Sequence, residues 1–262
     1  MKITIYQIDA FTEKLFGGNP AAVCPLDNWL SDEVMQNIAN ENNLAETAFY
    51  VPSGEEYLIR WFTPTVEVDL CGHATLAAAY VLFFLEKHTG QSITFSSPRS
   101  GKLVVSRKED LLTLNFPSDS IANVETSLEL TNAFDIMPVE ILKGKTDYLY
   151  LFKNEEEIHR IKPTMDNIAR LNARGVIITA PGNEVDFVSR FFAPQSGVNE
   201  DPVTGSAHTT LTPFWSQKLG KTELTAHQLS PRQGFLTCTF LNDRVEISGK
   251  ARHYLTGEIF VD

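Results

Sequence analysis

The chain has 262 residues, 43% hydrophobic and 21% charged, enough to bury a sizeable core as one large domain or two small ones. Its net charge of −11 at pH 7 argues against nucleic acid or an anionic membrane surface as a bulk partner. A small anionic ligand stays open, because the local field of a pocket need not follow the net charge.

Met1 to Asp9 alternates polar and apolar residues with no long apolar run, and so reads as a first strand rather than a signal peptide. Glu46 follows in Asn43-Leu44-Ala45-Glu46-Thr47-Ala48-Phe49, at the mouth of an apolar strand. Tyr57 to Phe62 reads as another strand, closed by Pro64, since proline cannot donate to a ladder. From Ala74 to Leu85 the chain is apolar on all sides, which predicts a buried helix; its most apolar part, Leu76 to Leu85, is ten residues long and too short to span a bilayer. The pattern weakens between about Pro117 and Ile136, which places a domain boundary there and gives domains 1–117 and 118–262, with the last strand or C-terminal tail free to cross back. The connecting segment from Ser118 to Met165 carries no usable motif. Val185 to Phe192 reads as a strand ending at Pro194. Cys24, Cys71 and Cys238 lie far apart with no CxxC pair, which points to a reducing cytoplasm and no disulfide framework.

The second half echoes the first. Arg60-Trp61-Phe62-Thr63-Pro64 returns as Arg190-Phe191-Phe192-Ala193-Pro194, an offset of 130 residues between positions 60 and 190. Downstream, Gly72-His73-Ala74 and Gly205-Ser206-Ala207 each open a helical run. A duplicated unit follows, strands wrapped around a buried helix and made twice; an open α/β sheet is the alternative. At the same offset Glu46 meets Val176, so the fold itself does not demand this acid. The active cleft is expected between the two halves.

The chemistry is expected at the two helix starts. Free backbone N–H groups there, with the positive end of the helix dipole, suit a carboxylate or phosphate, and Gly72 and Gly205 allow close approach. The competing reading is an ordinary glycine turn with Ser206 as its cap. Asp201, in the loop before the second helix, is either a second functional carboxylate or a helix cap. Two carboxylates in unlike surroundings can serve as acid and base. His73, in the first turn of an apolar helix, is placed to donate a hydrogen bond. His88, His159, His227 and His253 lack such a setting, and His208 reads as a packing or polar surface residue. No HExxH, H-x-H or close Cys/His cluster suggests a metal, and neither GxGxxG nor a Walker A motif suggests a nucleotide.

Five stretches in this order resemble the phenazine-biosynthesis isomerase family, the PhzF-like proteins: Asp9-Ala10-Phe11 with Gly18-Asn19-Pro20-Ala21-Ala22-Val23; Glu46-Thr47-Ala48-Phe49; Phe62-Thr63-Pro64; Glu67-Val68-Asp69-Leu70-Cys71-Gly72-His73-Ala74-Thr75; and Glu200-Asp201-Pro202-Val203-Thr204-Gly205-Ser206-Ala207. The resemblance implies an α+β fold of the diaminopimelate-epimerase kind, two pseudo-symmetric halves, each a mostly antiparallel β-barrel closed around a central α-helix. It implies a cofactor-free, dimeric isomerase acting on a small anionic metabolite; the best-understood member moves a proton on a dihydro-hydroxyanthranilate. Carried over by motif, Glu46 is the general acid/base, with Asp201, His73 and Ser206 in support. Gly72, Gly205, Thr204 and Asn19 are the substrate-binding candidates. Fold relatives that racemise with two cysteines would match Cys71 at the first position, but Pro202 stands at the second. Cys71 is therefore expected to be a small buried hydrophobe. Leu229-Ser230-Pro231-Arg232-Gln233-Gly234 resembles a late R-G-G segment with Gln233 in place of a glycine; Arg232 either contacts substrate or holds the loop.

Overall fold

In the computed structural model, which describes all 262 residues, the alternating N-terminus forms strand β1 (Lys2–Ala10). Next come β2 (Asn19–Pro25), helix α1 (Asp32–Asn42), β3 (Glu46–Ser53), β4 (Glu56–Phe62), β5 (Glu67–Val68), α2 (Gly72–Tyr80), β6 (Ser92–Ser97), β7 (Gly101–Lys108) and β8 (Leu111–Pro117). The chain continues through β9 (Ala122–Asn123), α3 (Leu128–Thr131), β10 (Glu140–Lys143), β11 (Asp147–Leu151), α4 (Glu155–Arg160), α5 (Met165–Arg170), β12 (Gly175–Pro181) and β13 (Phe187–Phe192). It ends with α6 (Gly205–Leu219), β14 (Glu223–Gln228), β15 (Gly234–Phe240), β16 (Arg244–Gly249) and β17 (Ala251–Phe260). No helix is long and apolar enough to cross a membrane.

Two compact units result. The first takes Met1–Asn115 together with Ser248–Asp262, and the second is Phe116–Ile247. The tail joins the first unit because β17 pairs antiparallel with β1 along its whole length, from Lys2 opposite Phe260 to Ala10 opposite Ala251.

Each unit is a mixed sheet with the same succession of pairings. In the first, β2 and β3 run parallel, β3 and β4 antiparallel, β4 and β6 parallel, and β6 and β7 antiparallel. In the second, β11–β12, β12–β13, β13–β14 and β14–β15 repeat that order. A helix, α2 or α6, links the second and third of these pairings in each case.

The ladders correct one correspondence read from the sequence. Thr47 pairs with Phe62, and Val176 pairs with Phe192. Val176 is therefore the counterpart of Thr47, and Glu46 corresponds to Gly175. The parallel ladders agree, with Ala21 beside Glu46 and Asp147 beside Gly175. One extra residue in the β12–β13 connection breaks the constant offset. A Cβ on Gly175 would fall 2.3 Å from Cζ of Phe191 and 3.0 Å from the Phe192 carbonyl oxygen. The second unit has filled the space of the Glu46 side chain with a phenyl ring. Gly175→Ala is expected to lower stability by about 1–3 kcal/mol through overpacking, read as a lower denaturant midpoint. An unchanged midpoint would mean that the ring moves aside freely.

Helix α2 buries every residue from His73 to Ala79, and then passes into a π-helical segment at Val81–Leu85. The predicted apolar helix is thus real, but it starts two residues before Ala74 and changes its hydrogen bonding at Val81. The repeated Arg-x-Phe has a packing cause. Residues two apart on a strand share a face, and the guanidinium carbon of Arg60 lies 5.1 Å from the Phe62 ring centre, that of Arg190 4.9 Å from Phe192. Each arginine also grips a carboxylate with two hydrogen bonds: Arg60 to Glu67 at 2.6 and 2.9 Å, and Arg190 to Glu200 at 2.7 and 3.0 Å.

Candidate active site

In the first unit, chain entry into β3 sets Glu46. Helix α1 ends on Asn43 in the left-handed conformation (φ 49°), which turns the chain so that Glu46 opens the strand beside β2. On β2, Asn19 stands two positions from Ala21, the neighbour of Glu46. His73 occupies the second position of α2. Its Nε2 lies 3.1 Å from Oε2 of Glu46, and its Nδ1 3.2 Å from Nδ2 of Asn19. Asn19 and His73 are buried, while 18% of the Glu46 side chain is exposed. The structure thus brings together three of the residues singled out in the first half.

Cys71 completes the group, with Sγ 3.5 Å from Nδ1 and 4.0 Å from Nε2 of His73. Burial pushes its thiol up to about 11, so it is neutral at neutral pH. For His73, burial opposes the charged ring, yet Cys71 and Glu46 raise its pKa well above the ordinary histidine value. With the thiol neutral, the Glu46 carboxylate is the partner that favours imidazolium. The Asn19 amide suits both charge states: its nitrogen donates to an unprotonated Nδ1, and a half-turn presents its oxygen to Nδ1–H. The ligand atoms of Glu46, Cys71 and His73 all lie within 4.8 Å of one another. That oxygen, nitrogen and sulfur set could hold a transition metal. Cys71 and His73 stand two residues apart in the sequence, and the fold brings the distant Glu46 beside them.

In the second unit, the loop before α6 is held by Gln228 of β14, which is fully buried. Its Nε2 donates to the Asp201 carbonyl at 2.8 Å and to Thr204 Oγ1 at 3.2 Å, while its Oε1 accepts from the Thr204 N–H at 2.8 Å. Thr204 Oγ1 in turn donates to Asp201 Oδ2 at 2.6 Å. Thr204 occupies the N-cap position without a side-chain cap bond, and Gly205 and Ser206 lie inside the first turn. Ser206 is therefore not the cap. Its Oγ accepts from Arg174 Nη2 at 2.9 Å. Arg174 also binds Asp147 through two hydrogen bonds and lies 5.3 Å from the centre of the Phe191 ring.

His208 is fully buried rather than at the surface, with Nδ1 2.9 Å from the Thr204 carbonyl and its pKa lowered to about 4 by burial. Arg232 is half-buried in the turn after β14, next to Gln233, which adopts a left-handed φ of 57°. A glycine would take that conformation without steric cost. Ser230 ties this turn to the Asp201 loop, donating to the Pro202 carbonyl at 2.8 Å. Gln228, Arg174 and Asp147 were missed from sequence. All three lie in or next to strands with no local motif, and only the fold carries them to the start of α6.

A family model described as phenazine biosynthesis-like protein matches residues 8–257. An uncharacterized isomerase of Pseudomonas aeruginosa is 50% identical over 99% of this chain and 99% of its own length. The crystal structure of a phenazine biosynthesis PhzF-family protein of Enterococcus faecalis has 46% identity and a TM-score of 0.97, covering 100% of both chains. A probable proline racemase from Agrobacterium radiobacter K84 has a TM-score of 0.67 at 8% identity, covering 99% of this chain and 93% of its own, and shares the fold alone.

Proposed function

The chain belongs to the phenazine biosynthesis-like protein family, and from that premise we propose that it is an isomerase that moves a proton on a small anionic metabolite, with Glu46 as the proton carrier. The pairing of Glu46 with buried His73 at 3.1 Å carries this reading. One carboxylate oxygen is steered by the histidine, and the partly exposed side chain can present the other to substrate. Glu46 takes a proton from carbon and returns it at another atom of the conjugated system. His73 offsets the change in charge as Glu46 is protonated and deprotonated.

At the start of α6, Ser206 and the Gly205 N–H bind the anionic group, and Asp201 orients the substrate by accepting its donors. Beside Glu46 the Gly72 N–H stabilises developing charge; the Thr204 N–H is already taken by Gln228. The reaction needs no cofactor on this account. Each unit is read as a strand barrel closed around its apolar helix, and the working form as a cytoplasmic homodimer. A thermal-shift screen of anionic metabolites, followed by NMR of the hits in D₂O, tests the proposal. A hit that isomerises and takes up solvent deuterium supports it, whereas ligands that bind without any exchange would recast the protein as a binding module.

The rival is an epimerase that works through the Cys71 thiol. Pro202 at the second thiol position and a thiol that is neutral at neutral pH both weigh against it. Cys71→Ala is expected to leave turnover close to the wild-type rate in a steady-state assay. Loss of activity there, with activity kept in Glu46→Gln, would reverse the assignment.

A further inference from the structure

The mechanism above uses Ser206 as a hydrogen-bond donor, and its surroundings show why it can be one. Ser206 Oγ accepts from Arg174 Nη2 at 2.9 Å, and its own hydroxyl proton has no acceptor in the protein. The guanidinium has five N–H donors. Nε donates to Asp147 Oδ1 at 3.0 Å, and the two donors of Nη2 go to Asp147 Oδ2 and to Ser206. Both N–H groups of Nη1 are left without a partner, on a side chain 41% exposed.

Asp147 lies in the opposite condition. It is 1% exposed, at the start of β11, and its carboxylate is spent on Arg174. Phe191 lies against the guanidinium plane and fixes it further. The arginine is thus locked on one edge and open on the other, beside a hydroxyl that must donate outward. Arg174 also lines an open cavity of about 390 Å³ with Lys143, Lys145 and Gln195, and no acidic side chain faces it.

We propose that Arg174 is a substrate-binding residue: its Nη1 edge and the Ser206 hydroxyl together receive a carboxylate, and Asp147 positions the guanidinium for it. A planar guanidinium suits a carboxylate because it offers parallel donors at matched spacing. Asp147 and Phe191 hold it in place beforehand, so little rotamer entropy is lost on binding. The inference rests on the isomerase reading only in taking that carboxylate to be the substrate's.

The test is an NMR titration of ¹⁵N-labelled full-length protein with benzoate, using benzamide as the uncharged control. Benzoate is expected to move the backbone resonances of Gly205 and Ser206 and the Arg174 Nε–H, and benzamide to leave them in place. Arg174→Met alone would strand the buried Asp147 charge, so the variant of choice is the double Asp147→Asn/Arg174→Met, with its fold checked by the dispersion of its spectrum. Its benzoate affinity is expected to fall by about 10- to 100-fold, the worth of a hydrogen bond to a charged group. Arg174→Lys keeps the charge and should retain part of the affinity, and Ser206→Ala should lose a smaller share. Equal affinity in the wild type and the double variant, or no response of the Arg174 resonance in the wild type, overturns the proposal. Because the titration needs no turnover, a failure of the isomerase reading shows separately in the deuterium experiment.

Discussion

Glu46→Gln is expected to lower solvent-deuterium incorporation and turnover by about 10²- to 10⁴-fold, the usual worth of a positioned general acid/base. The amide keeps the shape of the side chain and its place beside His73 Nε2, 3.1 Å from the native carboxylate oxygen, so the strand and the helix start should stay as they are. Melting temperature should fall modestly, because the charge partner of His73 is lost, but ligand-induced thermal shift should persist, and the loss of activity should fall on kcat rather than on binding. Undiminished exchange in this variant would remove Glu46 from the reaction and return attention to Cys71, the other group with a transferable proton beside His73.

The same pair predicts a pH dependence of stability. Burial works against the charged ring, but its anionic neighbour raises the His73 pKa above the ordinary value of about 6.5. A group whose pKa is higher in the folded state contributes stability in full below the unfolded value and loses it as the pH rises through the folded one. Stability should therefore fall as the pH is raised from about 6.5, and the fall should flatten in His73→Asn. Denaturant midpoints at several pH values would check it. Identical slopes in both proteins would place the titration elsewhere.

How much of this could be read in advance differs from residue to residue. The strand ending at Phe62, the buried helix after Gly72 and the echo at Arg190 were legible, because periodicity and proline positions are local signals. Glu46, His73 and Asn19 were legible because each lies in a short motif of a recognisable family. The true counterpart of Glu46 was not. A one-residue difference in a connection is invisible without the ladder, and Gly175 matters only because Phe191 crosses over it. Arg174 and Gln228 were hidden for a related reason. Nothing near them in sequence signals chemistry, and their partners are 32 and 24 residues away. The burial of His208 was half legible: packing and a polar surface role both stayed open, and the structure settles it as fully buried.

Arg190→Met is expected to be the most destabilising of the charge removals, at about 3–5 kcal/mol. Only 13% of the Arg190 side chain and 17% of Glu200's is exposed. Besides its two bonds to Glu200, the guanidinium donates through Nη1 to the carbonyls of Ile158 and Ile161, each at 3.2 Å. Methionine would fill much of the volume against Phe192, but it would leave a half-buried carboxylate with no cation and two carbonyls without a donor. Arg60→Met removes the matching clasp in the first unit and should cost less. There Glu67 keeps Arg99 at 3.1 Å, and the second carboxylate, Asp32, is 78% exposed and easily hydrated. The ranking carries a functional consequence. Glu200 precedes Asp201, whose N–H bonds to the Phe191 carbonyl at 3.1 Å, so releasing Glu200 loosens the loop that aims Asp201 and leads into α6. Activity in Arg190→Met should fall even at temperatures where the protein remains folded, whereas Arg60→Met should lose stability alone. Equal denaturant midpoints for the two variants would mean that the repeated arginine works through its ring stacking, which both copies share, and not through the carboxylate that each holds.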